Sequence, residues 1–340
     1  MNNLDLSTRA GVRTVIERYG LSAKKKLGQH FLVDGHVLRK ILAAAHVGAD
    51  DLVLEIGPGI GSMTQALSAR AGHVIAVELD KSLVPVLEEL FADEPVTIVQ
   101  GDILRMDLRE LLSKGLSGLK TGTKSPDACS RLSSPVKVVA NLPYYITTPV
   151  IFYLLESGLP FESITVMIQK EVALRMAAAP GTKDYGSLTL AVQYYADVEI
   201  AANVPVNCFM PRPAVDSAVA HLRILPKPRV EADKDKLFKV VRAAFGKRRK
   251  TLLNALSSAG DFVFFDKSNL TSVLECVGIN PQVRGETLDI FQFAKLTEAI
   301  AAAEAIAQGA ESPSAEQRGS VGRIHSDRRG GGLGAEPPLT

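Results

Sequence analysis

Four consecutive residues, Asn141-Leu142-Pro143-Tyr144, bring a side-chain amide, a backbone carbonyl, a stiff turn and an aromatic ring within reach of one another. Together they suit one demanding piece of chemistry. The exocyclic amine of adenine is a poor nucleophile because its lone pair is delocalised into the ring. Two hydrogen-bond acceptors can hold its NH2 so that the nitrogen pyramidalises and the lone pair turns toward an electrophile. The Asn141 side-chain oxygen and the Leu142 carbonyl are two such acceptors, and no side chain has to remove a proton first. Pro143 stiffens the turn, and Tyr144 can stack on the base and hold it in line, the positional contribution that dominates such transfers. By residue type alone the segment reads equally well as a proline turn with a buried tyrosine, so its meaning depends on what stands elsewhere in the chain.

Upstream, an apolar run leads into Glu55-Ile56-Gly57-Pro58-Gly59-Ile60-Gly61. Glycines at the carboxyl end of a strand let the backbone turn sharply and lie against a ligand with no Cβ in the way. The spacing is G-x-G-x-G. The dinucleotide fingerprint carries its third glycine one residue later, where this chain has Ser62. The tighter spacing resembles the loop that holds the methionine part and ribose of S-adenosylmethionine. Glu78, in Val77-Glu78-Leu79-Asp80, follows Gly57 by 21 positions. A carboxylate about 20 residues beyond the loop can accept both ribose hydroxyls, although it can also cap the helix that follows. Asp102, in Gly101-Asp102-Ile103, can accept from a cofactor's adenine amino group and serve as an N-cap at the same time. A nicotinamide dehydrogenase is the competing enzyme class, and it predicts binding of NAD(H).

Elements must position these groups. Strand-like apolar runs at Asp51–Ile56, His73–Glu78, Val96–Gln100, Val136–Ala140 and Ile164–Gln169 alternate with helical stretches at Met63–Ala71 and Lys81–Phe91. Such alternation predicts βαβ units in a doubly wound parallel α/β sheet, with ligands at the carboxyl ends of the strands. Leu188–Tyr195 and Ala214–Leu222 read as two further strands, pairing antiparallel at one edge. Ser113–Pro135 is rich in Ser, Gly, Lys, Thr and Pro and reads as an exposed inserted loop. After Pro226–Arg229 the pattern turns helical, at Lys234–Phe245, Lys247–Ser258, Leu270–Val277 and Leu288–Ala303. The organisation expected is an N-terminal extension (1–23), a catalytic domain (24–226), a small all-helical domain (227–307) and a disordered tail (308–340).

A chain of 340 residues is long enough for this arrangement. No apolar run approaches the ~18 residues that span a bilayer, and three scattered cysteines, Cys129, Cys208 and Cys276, have neither disulfide-framework nor metal-ligand spacing. A cytoplasmic protein without a metal is expected. Net charge is only +2, but Arg223 to Lys250 holds eleven Lys/Arg against three Asp/Glu, and Lys24-Lys25-Lys26 forms a second cluster. Both suggest a polyanion surface, or equally a solvated helix face.

Leu27-Gly28-Gln29-His30-Phe31-Leu32, the Glu55–Gly61 loop, Val77–Asp80, Gly101-Asp102, Asn141–Tyr145, Phe209-Met210-Pro211-Arg212-Pro213-Ala214-Val215-Asp216-Ser217 and Phe245–Lys250 together resemble the ribosomal RNA adenine dimethyltransferase family. The likeness runs from about Lys24 to Ala299 and is nearer to the bacterial small-subunit (16S) branch. It implies a class I methyltransferase sheet and transfer of two methyls from S-adenosylmethionine to each of two adjacent adenosines near the 3′ end of 16S rRNA in the assembling small subunit, by a monomer. Gln29, His30, Leu32, Gly57, Gly59, Glu78, Asp102 and Asn141 would contact the cofactor. Asn141, Leu142, Pro143 and Tyr144 would hold the adenine, with Phe209 as the opposite wall. Lys239, Arg242, Lys247, Arg248, Arg249 and Lys250 would meet RNA phosphates, the last four at the start of a helix. Many relatives have Asn where His30 stands; both residues donate hydrogen bonds. The Ser113–Pro135 insertion and the tail beyond Gln308, with Arg318, Arg323, Arg328 and Arg329, depart from the family pattern. Methylation of large-subunit rRNA and a non-catalytic RNA-binding role are the alternatives.

Overall fold

The computed structural model describes residues 4–116, 136–262 and 265–310. Among these the chain begins with α1 (Arg9–Arg18), the two-residue strand β1 (Phe31–Leu32) and α2 (Gly35–Ala45). Alternation follows: β2 (Leu52–Ile56), α3 (Ser62–Ser68), β3 (His73–Glu78), α4 (Val84–Leu90), β4 (Val96–Gln100), α5 (Leu108–Leu116), β5 (Val136–Asn141), α6 (Thr147–Leu155) and β6 (Phe161–Gln169). Then come α7 (Lys170–Met176), α8 (Ser187–Gln193), β7 (Ala196–Val204), β8 (Phe209–Met210) and β9 (Ser217–Ile224). Helices α9 (Lys234–Gly246), α10 (Leu252–Leu256), α11 (Lys267–Cys276) and α12 (Ile290–Ala310) complete the described residues.

Seven strands form one sheet in the order β4-β3-β2-β5-β6-β9-β7. The first five are parallel, and β9 runs antiparallel to both β6 and β7. The order reverses between β2 and β5, so the carboxyl ends of β2 and β5 flank the crevice at the switch point where doubly wound sheets bind ligands. Strand alternation feeds two cores. Leu52, Leu54 and Ile56 pack on one face with α5 and α6, whereas Val53 faces the other with α2 and α3. On the strand beside it, Lys137 is buried and donates to the Asp51 carboxylate at 2.8 Å and to the His46 carbonyl at 2.7 Å.

Behind the glycine loop, Leu6, Val12 and Val15 from the N-terminus pack with Phe31, Ile60, Leu87 and Phe91. Gly61 lies in this contact at φ +90°, and a Cβ there would come within 2.6 Å of the Phe91 ring, itself buried. Gly61→Ala therefore combines left-handed backbone strain with an overpacked ring. We expect it to destabilise the protein by about 2–4 kcal/mol, read as a lowered urea midpoint.

A separate core joins α9 to α12 through Leu237, Val241, Leu256, Leu270, Leu274 and Phe293. It also recruits Tyr185, Leu190 and Tyr194, which corrects the expected strand at Leu188–Tyr195. That segment is helix α8. Leu190 and Tyr194, four apart, share the face on this core, while Val192 turns toward the sheet. The edge strand is instead Ala196–Val204, and its partner starts at Ser217 rather than Ala214. The expected helix at Lys247–Ser258 is also corrected: residues 247–250 form a turn closed by Lys250 N–H to the Lys247 carbonyl at 2.8 Å. Thr251 then caps the shorter α10. Four successive cations repel in a helix, whereas Leu252, Leu253 and Leu256 have the helical core to pack against. Helix α5 runs through Ser113 to Leu116, so the inserted segment does not begin as a loop at Ser113. Residues 117–135 lie outside the described residues, as do Cys129 and the tail from 311.

Candidate active site

The carboxyl ends of β2, β3 and β5 and the segments after them enclose a cleft of about 1030 Å³, counted to its open mouth. It is lined by all eight residues expected to meet a cofactor and all five expected to act on a base. Sequence separation between them reaches from Gln29 to Phe209, so it is the fold that gathers them.

Asn141 ends β5, and its Nδ2 donates to the His30 carbonyl at 3.0 Å. That bond orients the amide and leaves Oδ1 as the group it can offer a ligand. Leu142 is buried and its N–H donates to the Met167 carbonyl at 3.2 Å, which ties the turn to β6. Pro143 starts a 3-10 turn over Tyr144–Ile146. The Tyr144 hydroxyl pairs with Ser217 Oγ at 2.9 Å, and its ring stacks on His30 with centroids 6.0 Å apart. Burial raises the Tyr144 phenol above its ordinary range, although the Ser217 bond opposes this. The ring is a neutral platform at physiological pH.

The wall facing β5 is a strap from the N-terminal side. Strand β1 pairs antiparallel with β8, Leu32 opposite Phe209 and Phe31 opposite Met210. His30 Nδ1 lies 2.9 Å from the Pro211 carbonyl and fastens the strap to the following loop. Phe209 is buried within the cleft wall. Gln29 lines the cleft, but its side chain is engaged: Oε1 accepts from Lys24 N–H at 2.7 Å and Nε2 donates to Asp80 at 3.0 Å. Lys24 Nζ reaches the same Asp80 at 2.5 Å. Burial works to raise the Asp80 carboxyl, but donors from Lys24, Ser82 and Gln29 hold it down at about 2. Lys24 thus anchors the strap, and the polyanion surface read at Lys24–Lys26 keeps only Lys25 and Lys26 for an outside partner.

On the other side, Glu78 Oε2 accepts from Gly59 N–H at 3.0 Å and Oε1 from Asp80 N–H at 2.7 Å. Each oxygen keeps a lone pair for a further donor, and burial raises this carboxyl. Asp102 Oδ1 accepts from Leu104 N–H at 3.1 Å, the N-cap role, while the residue also lines the cleft. Sequence reasoning missed Glu55. It is fully buried in β2 and borders the same cleft, and among the described residues neither oxygen makes a hydrogen bond of normal geometry, the nearby Thr64 hydroxyl included. Burial pushes it up to about 8, with Thr64 opposing and Glu78 adding to the shift. The signal was a lone acid inside the apolar run Leu52–Ile56. Among the described residues, three acidic side chains and no Lys or Arg line the cleft. With Glu55 held neutral by its burial, Glu78 and Asp102 leave the cleft acidic, which suits a cationic cofactor such as a sulfonium.

Residues 20–296 match the family model of ribosomal RNA adenine dimethylases. The chain belongs to that family. It is 49% identical over 289 residues, 84% of this chain and 94% of the relative, to the ribosomal RNA small subunit methyltransferase A of Lachnoclostridium phytofermentans. Among solved structures it resembles a dimethyladenosine transferase from Plasmodium falciparum, with TM-score 0.62 and 27% identity over 78% of this chain and 95% of that one. The 23S rRNA methyltransferase ErmE shares the fold at TM-score 0.58 and 24% identity, over 79% of this chain and 99% of that one. The sheet is accordingly the Rossmann-like, doubly wound sheet of class I methyltransferases, followed by a helical C-terminal part.

The residues expected to meet RNA divide into two kinds. Arg248 is half exposed, yet its guanidinium is committed, with Nε to Glu286 at 3.0 Å and Nη2 to the Lys183 and Tyr185 carbonyls. It braces the segment before α8 against the turn before α12. Arg223, Arg229 and Lys234 are likewise paired, with Asp197 and Glu156. Lys239, Arg242, Lys247, Arg249 and Lys250 are exposed, and none of them has an ion-pair partner among the described residues. No helix among the described residues is long and apolar enough to cross a membrane, and no cluster of three or more His, Cys, Asp or Glu among them is placed to hold a metal ion.

Proposed function

We propose that this chain transfers methyl groups from S-adenosylmethionine to the N6 amines of two adjacent adenosines near the 3′ end of 16S rRNA, two methyls on each, in the assembling small ribosomal subunit. The observation that carries this reading is the Asn141 amide, oriented by His30 at the rim of an acid-lined glycine-loop cleft. Glu78 would accept the ribose hydroxyls, Asp102 the cofactor's adenine amino group, and Gly57 and Gly59 let the backbone lie against the methionine part. Bound there, S-adenosylmethionine supplies a methyl on a cationic sulfur. Asn141 Oδ1 and the Leu142 carbonyl would accept the two amine hydrogens and turn the nitrogen lone pair toward that methyl. Tyr144 and Phe209 would hold the base in plane. The methylated nitrogen is a strong acid and sheds its proton to solvent, which removes any need for a dedicated base. In the second transfer one N–H remains, so one acceptor suffices to orient it.

The small-subunit target is favoured over 23S rRNA by relatives at 44–49% identity that carry the small-subunit name and match over 94–97% of their length. The Asn141 constellation, kept whole, argues against a non-catalytic assembly factor. A monomer acting in the bacterial cytoplasm completes this reading. The deciding experiment is labelled-methyl transfer to undermethylated small subunits followed by nucleoside analysis. Dimethyladenosine is the expected product; monomethyladenosine alone, or label in large subunits only, would overturn the reading.

Phosphate contacts would come from Lys239, Arg242, Lys247, Arg249 and Lys250, and they set position and affinity rather than sequence. The triple reversal Lys247→Glu, Arg249→Glu and Lys250→Glu should weaken binding to small subunits at least tenfold at 0.1 M salt and flatten the slope of log K against log salt by roughly 2–3. Cofactor affinity should stay unchanged. Arg248 belongs outside this set, because its loss would disturb packing as well as charge.

A further inference from the structure

Tyr145 is among the few large apolar side chains left exposed, at 55%, and it borders the mouth of the cleft. It follows Tyr144 on a 3-10 turn, in which successive side chains diverge by roughly 120°. Tyr144 is held inward by Ser217, so Tyr145 is left at the rim. One side of its ring lies against Gly28 in the strap, where a Cβ would stand 3.6 Å from the ring edge. Its hydroxyl has no hydrogen-bond partner among the described residues. An aromatic ring backed by backbone, open on its outer side and beside a base-sized cleft is what single-stranded nucleic acid stacks on.

We propose that Tyr145 is a stacking platform for the nucleotide next to the one in the cleft, so that adjacent adenosines are taken as a pair, one against Tyr144 and its neighbour on Tyr145. This rests on the adenosine-methylating reading above and deepens it. A base drawn into the cleft leaves its neighbour with one face unstacked. The exposed ring replaces that lost face, and a purine covers it better than a pyrimidine. Tyr145 is a positioning residue, since it meets the RNA without touching the reacting nitrogen.

The test uses the full chain and undermethylated small subunits, with the adjacent pair intact or with one adenosine of the pair changed to uridine. On intact subunits, Tyr145→Ala should lower kcat/KM by roughly 10- to 100-fold, mainly through KM, while Tyr145→Phe keeps near-full activity. Cofactor affinity by calorimetry should match the unaltered protein. On the uridine subunits the unaltered protein should itself lose most of this advantage, and the gap to Tyr145→Ala should close to about threefold. An equal loss on both substrates, a parallel fall in cofactor affinity, or no loss at all would overturn the proposal. Failure of the unaltered protein to methylate intact subunits would instead overturn the proposed function.

Discussion

Asn141→Ala should cut single-turnover methyl transfer by roughly 10²–10³-fold, the usual cost of removing one preorganised hydrogen-bonding group that acts at the transition state. The acceptor matters most at that moment, because the amine hydrogens become more acidic as the nitrogen lone pair engages the methyl carbon. RNA affinity should be retained, since the candidate phosphate contacts lie on α9 and the turn after it. The substitution also removes the bond from Nδ2 to the His30 carbonyl, and a loosened strap would lower activity for a different reason. Asn141→Asp separates the two causes: it keeps an acceptor and loses the donor. If orientation of the amine is the main role, the aspartate variant should be distinctly faster than the alanine variant. If holding His30 is the main role, both should be equally slow. Undiminished transfer by Asn141→Ala would refute the mechanism outright.

Much of this site is legible in sequence because its parts are local. The glycine loop, the acid after β3 and the tetrad after β5 each sit at a strand end, and β3 and β4 are bounded as their apolar runs predict. β3 is buried along its whole length, which leaves few alternative readings, whereas β4, a half-buried edge strand, is marked by its β-branched run Val96-Thr97-Ile98-Val99. The misreadings fall where distant partners decide. Leu188–Tyr195 has enough β-branched and aromatic content to suggest a strand, but Leu190 and Tyr194 find a helical core built largely from residues after 230. Arg248 reads as a phosphate ligand beside its charged neighbours, whereas its partners Glu286 and Lys183 stand 38 and 65 residues away. The role of Gln29 in pinning the strap depends in the same way on Asp80, 51 residues on. Glu55 was hidden for the opposite reason. It is adjacent to the glycines and was absorbed into their motif, and only burial without a partner marks it as a separate group.

That burial has a consequence for pH. Glu55 is raised from an ordinary 4.5 to about 8 by desolvation, so the folded protein keeps this proton across a range in which the unfolded chain gives it up. Stability is then fully present below 4.5 and falls as pH rises toward 8, by up to about 5 kcal/mol from this group at 1.36 kcal/mol per unit. Glu78, also raised, adds a contribution of the same sign. Burial lowers His73 and His221, which works the other way over the same range, so without cofactor the Tm of the unaltered protein should fall relative to that of Glu55→Gln between pH 5 and 8. Parallel Tm profiles in the two proteins would show that Glu55 is ionised in the empty cleft. The cationic cofactor proposed for this cleft reverses the balance, because its positive charge favours the carboxylate next to Glu78. Binding should then expel a proton, visible by calorimetry in two buffers of different ionisation enthalpy, and affinity should rise from pH 6 to 8. In Glu55→Gln both effects should shrink to the share left by Glu78. Proton release identical in the two proteins would assign it elsewhere, leaving Glu55 a buried acid with no part in holding the cofactor.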